Sequence, residues 1–197
     1  KLAAYIQSIP ALFEKPAMEA YDHMGAVLTD AILQAGLNYE TVVLPRVQKV
    51  KSMPEAKTTS GFLTVLEQNG TDRLLNWSNA EKPLRLLSIT RFFRAETVET
   101  TDDLRSWLQI AENIPRLKQQ RGVGDKTTDY LKILVGLSTS AIDRHIFKFL
   151  EEAGIPAQDY QEAQRLVHET ADIFGIDYSV LDHNLWQYMS KREKRKR

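Results

Sequence analysis

Residues Arg121–Thr127 read RGVGDKT, and this stretch decides how the rest of the chain is interpreted. Residues 113–136 around it carry apolar side chains at helical spacing, which predicts a helix, a tight turn and a second helix. Glycine at both ends of the turn permits backbone angles that other residues rarely adopt. Val123, between the two glycines, is expected to fill the space between the helices. The segment therefore predicts a compact helical hairpin.

This turn is expected to expose backbone groups. Its N–H groups reach the surface beside a helix N-terminus, where unpaired donors and the helix dipole favour an anion. We therefore predict that Gly122, Val123, Gly124 and Thr127 contact a DNA phosphate, a contact that positions DNA without reading its bases. The alternative is an ordinary glycine-containing connection in a helical bundle, which is common in proteins.

The whole chain is predicted to be all-α. Apolar residues recur three and four positions apart in most segments, alternating patterns are scarce, and roughly ten helices are expected. Cap residues indicate where some of them begin. Thr100 followed by Asp103 predicts one start, and Ser179 predicts the start of a last helix from Val180 to Met189. No repeat of fixed period and no low-complexity linker divides the chain.

Composition excludes several classes of function. Of the 197 residues, 43% are hydrophobic and 26% are charged, a globular balance that argues against disorder. Without cysteine the chain forms no disulfide, no cysteine nucleophile and no iron–sulfur cluster. The four histidines form no closely spaced pair, so no metal site is expected. No apolar run reaches about 18 residues, so no membrane span is expected.

The formal net charge of zero conceals an uneven distribution. The C-terminal stretch 191–197 holds six basic residues and one acidic residue, so the preceding chain is net acidic. A nucleic-acid ligand would have to meet a local basic face of the protein. The basic stretch is either part of such a face or a solvated helix end.

Residues 122–150 read GVGDKTTDYLKILVGLSTSAIDRHIFKFL and resemble the helix-hairpin-helix DNA glycosylase superfamily, in particular its endonuclease III-like branch. In that family a Gly-Val-Gly-x-Lys-Thr hairpin is followed by a Val-Asp-x-His-Ile/Val segment. Here Lys126 takes the lysine position, and Asp143 lies 17 residues later (143 − 126) in the segment 141–146. Two motifs in the same order and at a similar distance are more specific than a lone Gly-x-Gly.

The resemblance implies two helical subdomains with an active-site cleft between them. It places a helical barrel at 23–135, with the hairpin at 114–135, and a second subdomain at 1–22 together with 136–197. The chain departs from the family in three respects. Gln120 and Arg121 replace a common Leu-Pro, the iron–sulfur cysteines are missing, and the spacing of the two motifs is about one residue short. No cofactor is expected, with a monovalent cation at the hairpin carbonyls as the one candidate.

Two side chains are implied to carry the chemistry. Asp143 is the candidate carboxylate that stabilises positive charge developing at C1′ of the sugar, and its alternative role is an ordinary helix N-cap. Lys126 is the candidate amine that attacks C1′ and forms a Schiff base. Its alternative role is a phosphate contact or a solvated lysine.

Other residues have weaker assignments. The resemblance implies that the loop at 34–39, which follows a long apolar helix, fills the gap left by an extruded base, with Leu37, Asn38 and Tyr39 as candidates for this role or for the base pocket. A helix end at Gly36 with core neighbours explains the same residues. His145 is expected to pack or to hydrogen-bond structurally.

The resemblance thus implies a base excision repair enzyme, a DNA glycosylase with abasic-site lyase activity. Its expected partner is double-stranded DNA with a damaged base or an abasic site, and a cytoplasmic, nucleoid-associated monomer without membrane contact is expected. Two alternatives stay open: a helix-hairpin-helix module that only binds DNA, and a glycosylase that uses water as its nucleophile. No spacing identifies the damaged base.

Overall fold

The structure, a computed structural model, describes residues 1–13 and 19–195. Within these residues the regular elements are twelve α-helices, two short 3-10 helices (Pro10–Phe13 and Pro54–Lys57) and one short π-helix (Tyr39–Val43), and no strand occurs. The prediction of an all-α fold is confirmed. Apolar periodicity predicted somewhat fewer helices because the shortest ones span little more than one turn.

The chain divides into two compact units. We call residues 20–137 the hairpin unit, and residues 1–19 with 138–197 the terminal unit. The resemblance implies boundaries between residues 22 and 23 and between residues 135 and 136.

The hairpin unit contains eight of the α-helices that the structure describes. They are α2 (Met24–Leu33), α3 (Leu44–Lys51), α4 (Thr59–Asn69), α5 (Thr71–Leu75), α6 (Glu81–Ala95), α7 (Thr101–Leu108), α8 (Asn113–Lys118) and α9 (Asp125–Leu134). All ten residues of α2 are buried. This helix contacts α3, α4, α6 and α9, so it forms the centre of the unit.

An apolar stripe explains why α2 lies at the centre. Its residues are mostly aliphatic, and Leu28 and Leu33 are fully buried among the side chains of the neighbouring helices. Phe62 of α4 and Phe93 of α6 are also fully buried in this core. Burying one such side chain contributes about 1.5–3 kcal/mol, so the core fixes the helices that surround α2.

The terminal unit joins both ends of the chain. It contains α1 (Leu2–Gln7), α10 (Arg144–Glu152), α11 (Tyr160–Phe174) and α12 (Tyr178–Arg195). A second, separate core holds Ile6 of α1, Phe149 of α10 and Leu185 of α12, all fully buried. The apolar stripes of α10 and α11 therefore point into one shared interior.

One of the two predicted helix starts is confirmed and the other is wrong. Thr100 and Asp103 form a capping box at α7, each accepting a backbone N–H of the other residue. The last helix begins at Tyr178, ahead of Ser179, and extends to Arg195. Asp177 accepts the N–H of Ser179 at 2.8 Å, and this carboxylate takes the place of the predicted serine cap. The last two residues of the basic C-terminal stretch, 196 and 197, lie outside the described residues.

Candidate functional site

The predicted hairpin is formed by α8, the turn at 119–124 and α9. Gly122 has φ +80°, a conformation that L side chains rarely adopt. A Cβ at this residue would lie 2.5 Å from Nη1 of Arg85, so the flexible end of the arginine side chain would have to shift. Val123 is buried in the core of the hairpin unit, and its N–H donates to the carbonyl of Gln120 at 3.0 Å. The hairpin is thus fixed from inside by Val123 and covered at Gly122 by Arg85.

The start of α9 is open. Gly124 is its N-cap residue and no side chain caps the helix. In the part of the chain that the structure describes, the N–H groups of Gly124 and Asp125 have no acceptor, and a Cβ on Gly124 would meet nothing within 4 Å. Unpaired donors at a helix N-terminus favour an anion. Of the predicted phosphate contacts, Gly124 lies where an anion can approach.

The other predicted contacts serve the hairpin itself. Thr127 is buried, as is Val123. The carbonyl of Gly124 accepts the N–H of Thr128 at 3.0 Å and its hydroxyl at 2.9 Å. Since a carbonyl oxygen has two lone pairs, this one is already occupied. A monovalent cation at the hairpin, which stays a prediction, would need other carbonyls.

Lys126 lies in the first turn of α9, half-buried. Its Nζ donates to Oε1 of Gln34 at 2.8 Å, and Gln34 is the residue that ends α2. The amide nitrogen of Gln34 is buried and has no partner among the described residues. The candidate nucleophile is therefore held at the C-terminal end of the central helix.

One turn before Gln34 in α2, and one turn after Lys126 in α9, lies a polar cluster that sequence reasoning missed. Asp30 is fully buried in α2. Its carboxylate accepts hydrogen bonds from the hydroxyls of Tyr21 and Tyr39, each at 2.9 Å, and of Tyr130 at 3.1 Å. We call these four residues the tyrosine–aspartate cluster. The available signal was one acidic residue within an otherwise apolar helical stripe.

Burial governs the acid–base behaviour of this cluster. Burial raises the pKa of Asp30, and the three tyrosine hydroxyls oppose that effect only in part. Burial and the nearby carboxylate raise the pKa of Tyr39 to about 12, and the pKa of Tyr21 and of Tyr130 is raised for the same two reasons. The tyrosines therefore stay protonated and act as donors near neutral pH.

Two parallel contacts join α9 to α2. Lys126 and Tyr130 are four residues apart in α9, and their partners Gln34 and Asp30 are four residues apart along α2. Residues four apart lie on the same helical face. The cluster thus fixes the face of α9 that carries Lys126.

Asp143, in the terminal unit, is the N-cap of α10. Its Oδ1 accepts the N–H of His145 at 2.8 Å and that of Ile146 at 3.3 Å. Its Oδ2 lies 3.0 Å from Nδ1 of His145, whose Nε2 lies 3.3 Å from Glu193. His145 is buried. The carboxylate is held in one orientation by its own helix, and His145 takes part in holding it.

The predicted catalytic residues belong to different units, Lys126 to the hairpin unit and Asp143 to the terminal unit. The residues predicted for the gap or the base pocket lie together after α2. Leu37 packs partly against the core, Asn38 accepts the N–H of Thr41 at 3.1 Å, and Tyr39 belongs to the tyrosine–aspartate cluster.

The described residues contain neither a cluster of potential metal ligands nor a membrane-spanning helix. None of these residues form a group of three or more histidine, aspartate and glutamate side chains that could hold a metal ion. Within the same ranges, no helix has the length and hydropathy needed to cross a membrane.

Comparison with known proteins gives the family and the fold. Residues 1–190 match the family described as Domain of unknown function (DUF8548). The chain belongs to this family. No curated protein matches it.

A solved structure of H. pylori 3-methyladenine DNA glycosylase (MagIII), bound to 1,N6-ethenoadenine, is similar to the chain. The TM-score is 0.72 at 16% sequence identity, and the match covers 100% of this chain and 97% of the other. At that identity the likeness shows the fold, which the DUF8548 chain shares with this DNA glycosylase over its whole length.

Proposed function

We propose that this protein is a DNA glycosylase of base excision repair that also cleaves DNA at the abasic site. The observation that carries the proposal is the full-length likeness of fold to a DNA glycosylase. The open start of α9 supports it, because that is where the hairpin would bind a DNA phosphate. The proposed partner is double-stranded DNA, bound by a cytoplasmic monomer.

Asp143 would act at the glycosidic bond. Breaking the bond from C1′ to the base leaves positive charge on the sugar, and a fixed carboxylate stabilises that charge. The hydrogen bonds from His145 and Ile146 keep the carboxylate in place. A side chain that is already oriented needs no rearrangement during the reaction.

Lys126 would supply the covalent step. Its neutral amine attacks C1′ and the base departs with the bonding electron pair and one proton of the amine. The second amine proton passes to the ring oxygen as that oxygen leaves C1′, which gives an imine between Nζ and the opened sugar. Removal of a proton from C2′ then expels the 3′ phosphate and cuts the strand. The bond to Gln34 orients the amine before the attack.

The compound bound to MagIII suggests the first substrate. That protein is titled a 3-methyladenine DNA glycosylase and was solved with 1,N6-ethenoadenine. We therefore propose a modified adenine as the base released by this chain.

The test uses a duplex with one 1,N6-ethenoadenine and a second duplex with one abasic site. Release of the free base, measured by mass spectrometry, tests the glycosylase. Borohydride trapping on the abasic duplex tests the Schiff base. Lys126→Ala is expected to abolish the trapped adduct, while Lys132→Ala, on the same helix but paired with Asp129 at 2.9 Å, is expected to retain it.

Three results would change the proposal. Base release without an adduct would leave a glycosylase that uses water. DNA binding with neither activity would favour a module that only binds DNA. An adduct that persists in Lys126→Ala would assign the covalent step to another amine.

A further inference from the structure

The first turn of α6 lies against the hairpin and brings positive charge to it. Glu81 pairs with Arg85 and with Arg121 of the hairpin, each at 2.7 Å. The side chain of Arg85 lies directly over Gly122. Both arginines share one carboxylate, so their two charges are only half compensated.

Lys82 adds a further cationic group to this surface. Its Nζ donates to the carbonyl of Ile32 at 2.6 Å and to that of Ala35 at 3.2 Å. These carbonyls lie on either side of Gln34, whose side chain receives Lys126. Two lysine amines therefore meet at the end of α2, beside the hairpin.

The bonding of Lys82 determines what it can still bind. An ammonium group has three N–H donors, and two of them are directed to the carbonyls of Ile32 and Ala35. The third donor exists only while the group is protonated. A neutral amine would present a lone pair in that direction, which repels an anion.

The surroundings make loss of this proton accessible near neutral pH. The pKa of Lys82 is lowered to about 8, first by burial and then by the positive charges of Arg85 and Lys126. Glu81 opposes this effect. Gln34, which faces the same place from α2, carries no charge. A DNA phosphate bound here would supply negative charge that balances the charges of Lys82, Arg85 and Lys126.

We propose that Lys82 is a second phosphate contact for DNA beside the hairpin, and that it binds the phosphate only as an ammonium group, so that DNA binding is linked to one proton. This inference rests on the proposed function, because it takes the hairpin surface to bind DNA. It assigns a role to a residue of α6 that lies outside both sequence motifs.

The expected effects distinguish the positive charge of Lys82 from its loss of a proton. The part of the DNA affinity that Lys82 contributes should be fully present below the pKa of Lys82 and lost above it. With the pKa of Lys82 at about 8, the wild-type Kd should rise about tenfold between about pH 7 and about pH 9. Lys82→Arg, which keeps its charge, should lose this rise. The slope of log K against log salt is negative, and Lys82→Met should make it shallower by about 0.9, the value for one phosphate contact.

The experiment measures fluorescence anisotropy of a short duplex with a tetrahydrofuran analogue of the abasic site, which cannot react. The matched control is Lys49, which also donates to a backbone carbonyl, that of Leu74 at 2.7 Å. Lys49→Met and Lys49→Arg should keep the wild-type pH dependence. Thermal melting of each variant checks folding, and the arginine variant suffices if Lys82→Met is unstable.

Two outcomes overturn the inference in distinguishable ways. If Lys82→Arg keeps the wild-type pH dependence and Lys82→Met keeps the salt slope, DNA binding stands and the role of Lys82 is wrong. If the wild type and the Lys49 variants show no salt-dependent binding to this duplex, the proposed function fails, and the Lys82 contact fails with it.

Discussion

The starts of α9 and α10 differ in how their backbone N–H groups are satisfied. At α10 the carboxylate of Asp143 accepts two backbone N–H groups, so the first turn is closed by its own side chain. At α9 the N-cap is Gly124, which has no side chain, and the first donors have no acceptor among the described residues. Both starts lie in the motifs that decided the sequence interpretation.

The difference teaches which helix start is built for stability and which is available to a ligand. An N-cap side chain contributes about 0.5–2 kcal/mol of stability, and glycine at the same position contributes somewhat less. An open helix start keeps its donors and the positive end of the helix dipole for an external anion. The closed start of α10 instead fixes the carboxylate that we propose to act at the sugar.

The largest effect is expected from Asp143→Asn. Asparagine caps a helix about as well as aspartate, so the free energy of unfolding should change little, while the loss of charge should slow base release by about a hundredfold to about a thousandfold. Single-turnover release of 1,N6-ethenoadenine measures the rate, and urea denaturation measures the stability. Asp159→Asn is the matched control, since Asp159 caps α11 in the same unit through the N–H of Glu162 at 2.8 Å. A similar slowing in both variants would contradict a chemical role for Asp143.

A smaller effect is expected when the hairpin glycines are compared. Gly122→Ala puts a methyl group at φ +80° and against Arg85, and it should lower the free energy of unfolding by about 1–3 kcal/mol. Gly124→Ala meets no neighbour and has an extended backbone, so it should lower the free energy of unfolding by less than about 1 kcal/mol, the difference between glycine and alanine as N-cap residues. Urea denaturation of both variants is the measurement. Equal destabilisation would show that both glycines are structural and that the start of α9 is less open than its geometry indicates.

The smallest effect is expected from converting the open start into a closed one. Gly124→Asp gives α9 the kind of cap that α10 has, and should raise the free energy of unfolding by a few tenths of a kcal/mol, about the difference between the two cap residues. Its carboxylate would occupy the N–H donors and repel a phosphate, so DNA affinity should fall on the order of tenfold. Anisotropy with the unreactive duplex tests this, with Asp159→Glu as a control for altered capping elsewhere. Unchanged affinity would mean that the phosphate does not bind at α9.

Much of the fold followed from local sequence. The hairpin, the capping box at Thr100 and most helices depend on residues within about four positions of one another, where spacing and cap chemistry decide. The failure at Ser179 was also local, because Asp177 lies two residues earlier and accepts the N–H of Ser179, so the helix begins before the predicted cap. The position of Asp143 as the N-cap of α10 was foreseen as one of its two roles.

The site was less predictable because its contacts join distant residues. Asp30 and Tyr130 are 100 residues apart, Gln34 and Lys126 are 92 apart, and Ile32 and Lys82 are 50 apart. No spacing along the chain encodes these pairs. They arise because α6 and α9 pack against α2 and bring their polar side chains to its C-terminal end.

The sequence by itself determined an all-α chain without cysteine chemistry and a glycine hairpin, and the resemblance of its two motifs to a glycosylase superfamily supplied Lys126 and Asp143 as candidates. These features follow from helical periodicity, turn geometry and residue chemistry, which act over short distances. Only the tertiary structure decided that Asp30 accepts hydrogen bonds from three tyrosines, that Gln34 receives Lys126 and that Lys82 donates to the carbonyls at the end of α2. A buried polar group must find its partners wherever packing places them, and packing depends on the whole core.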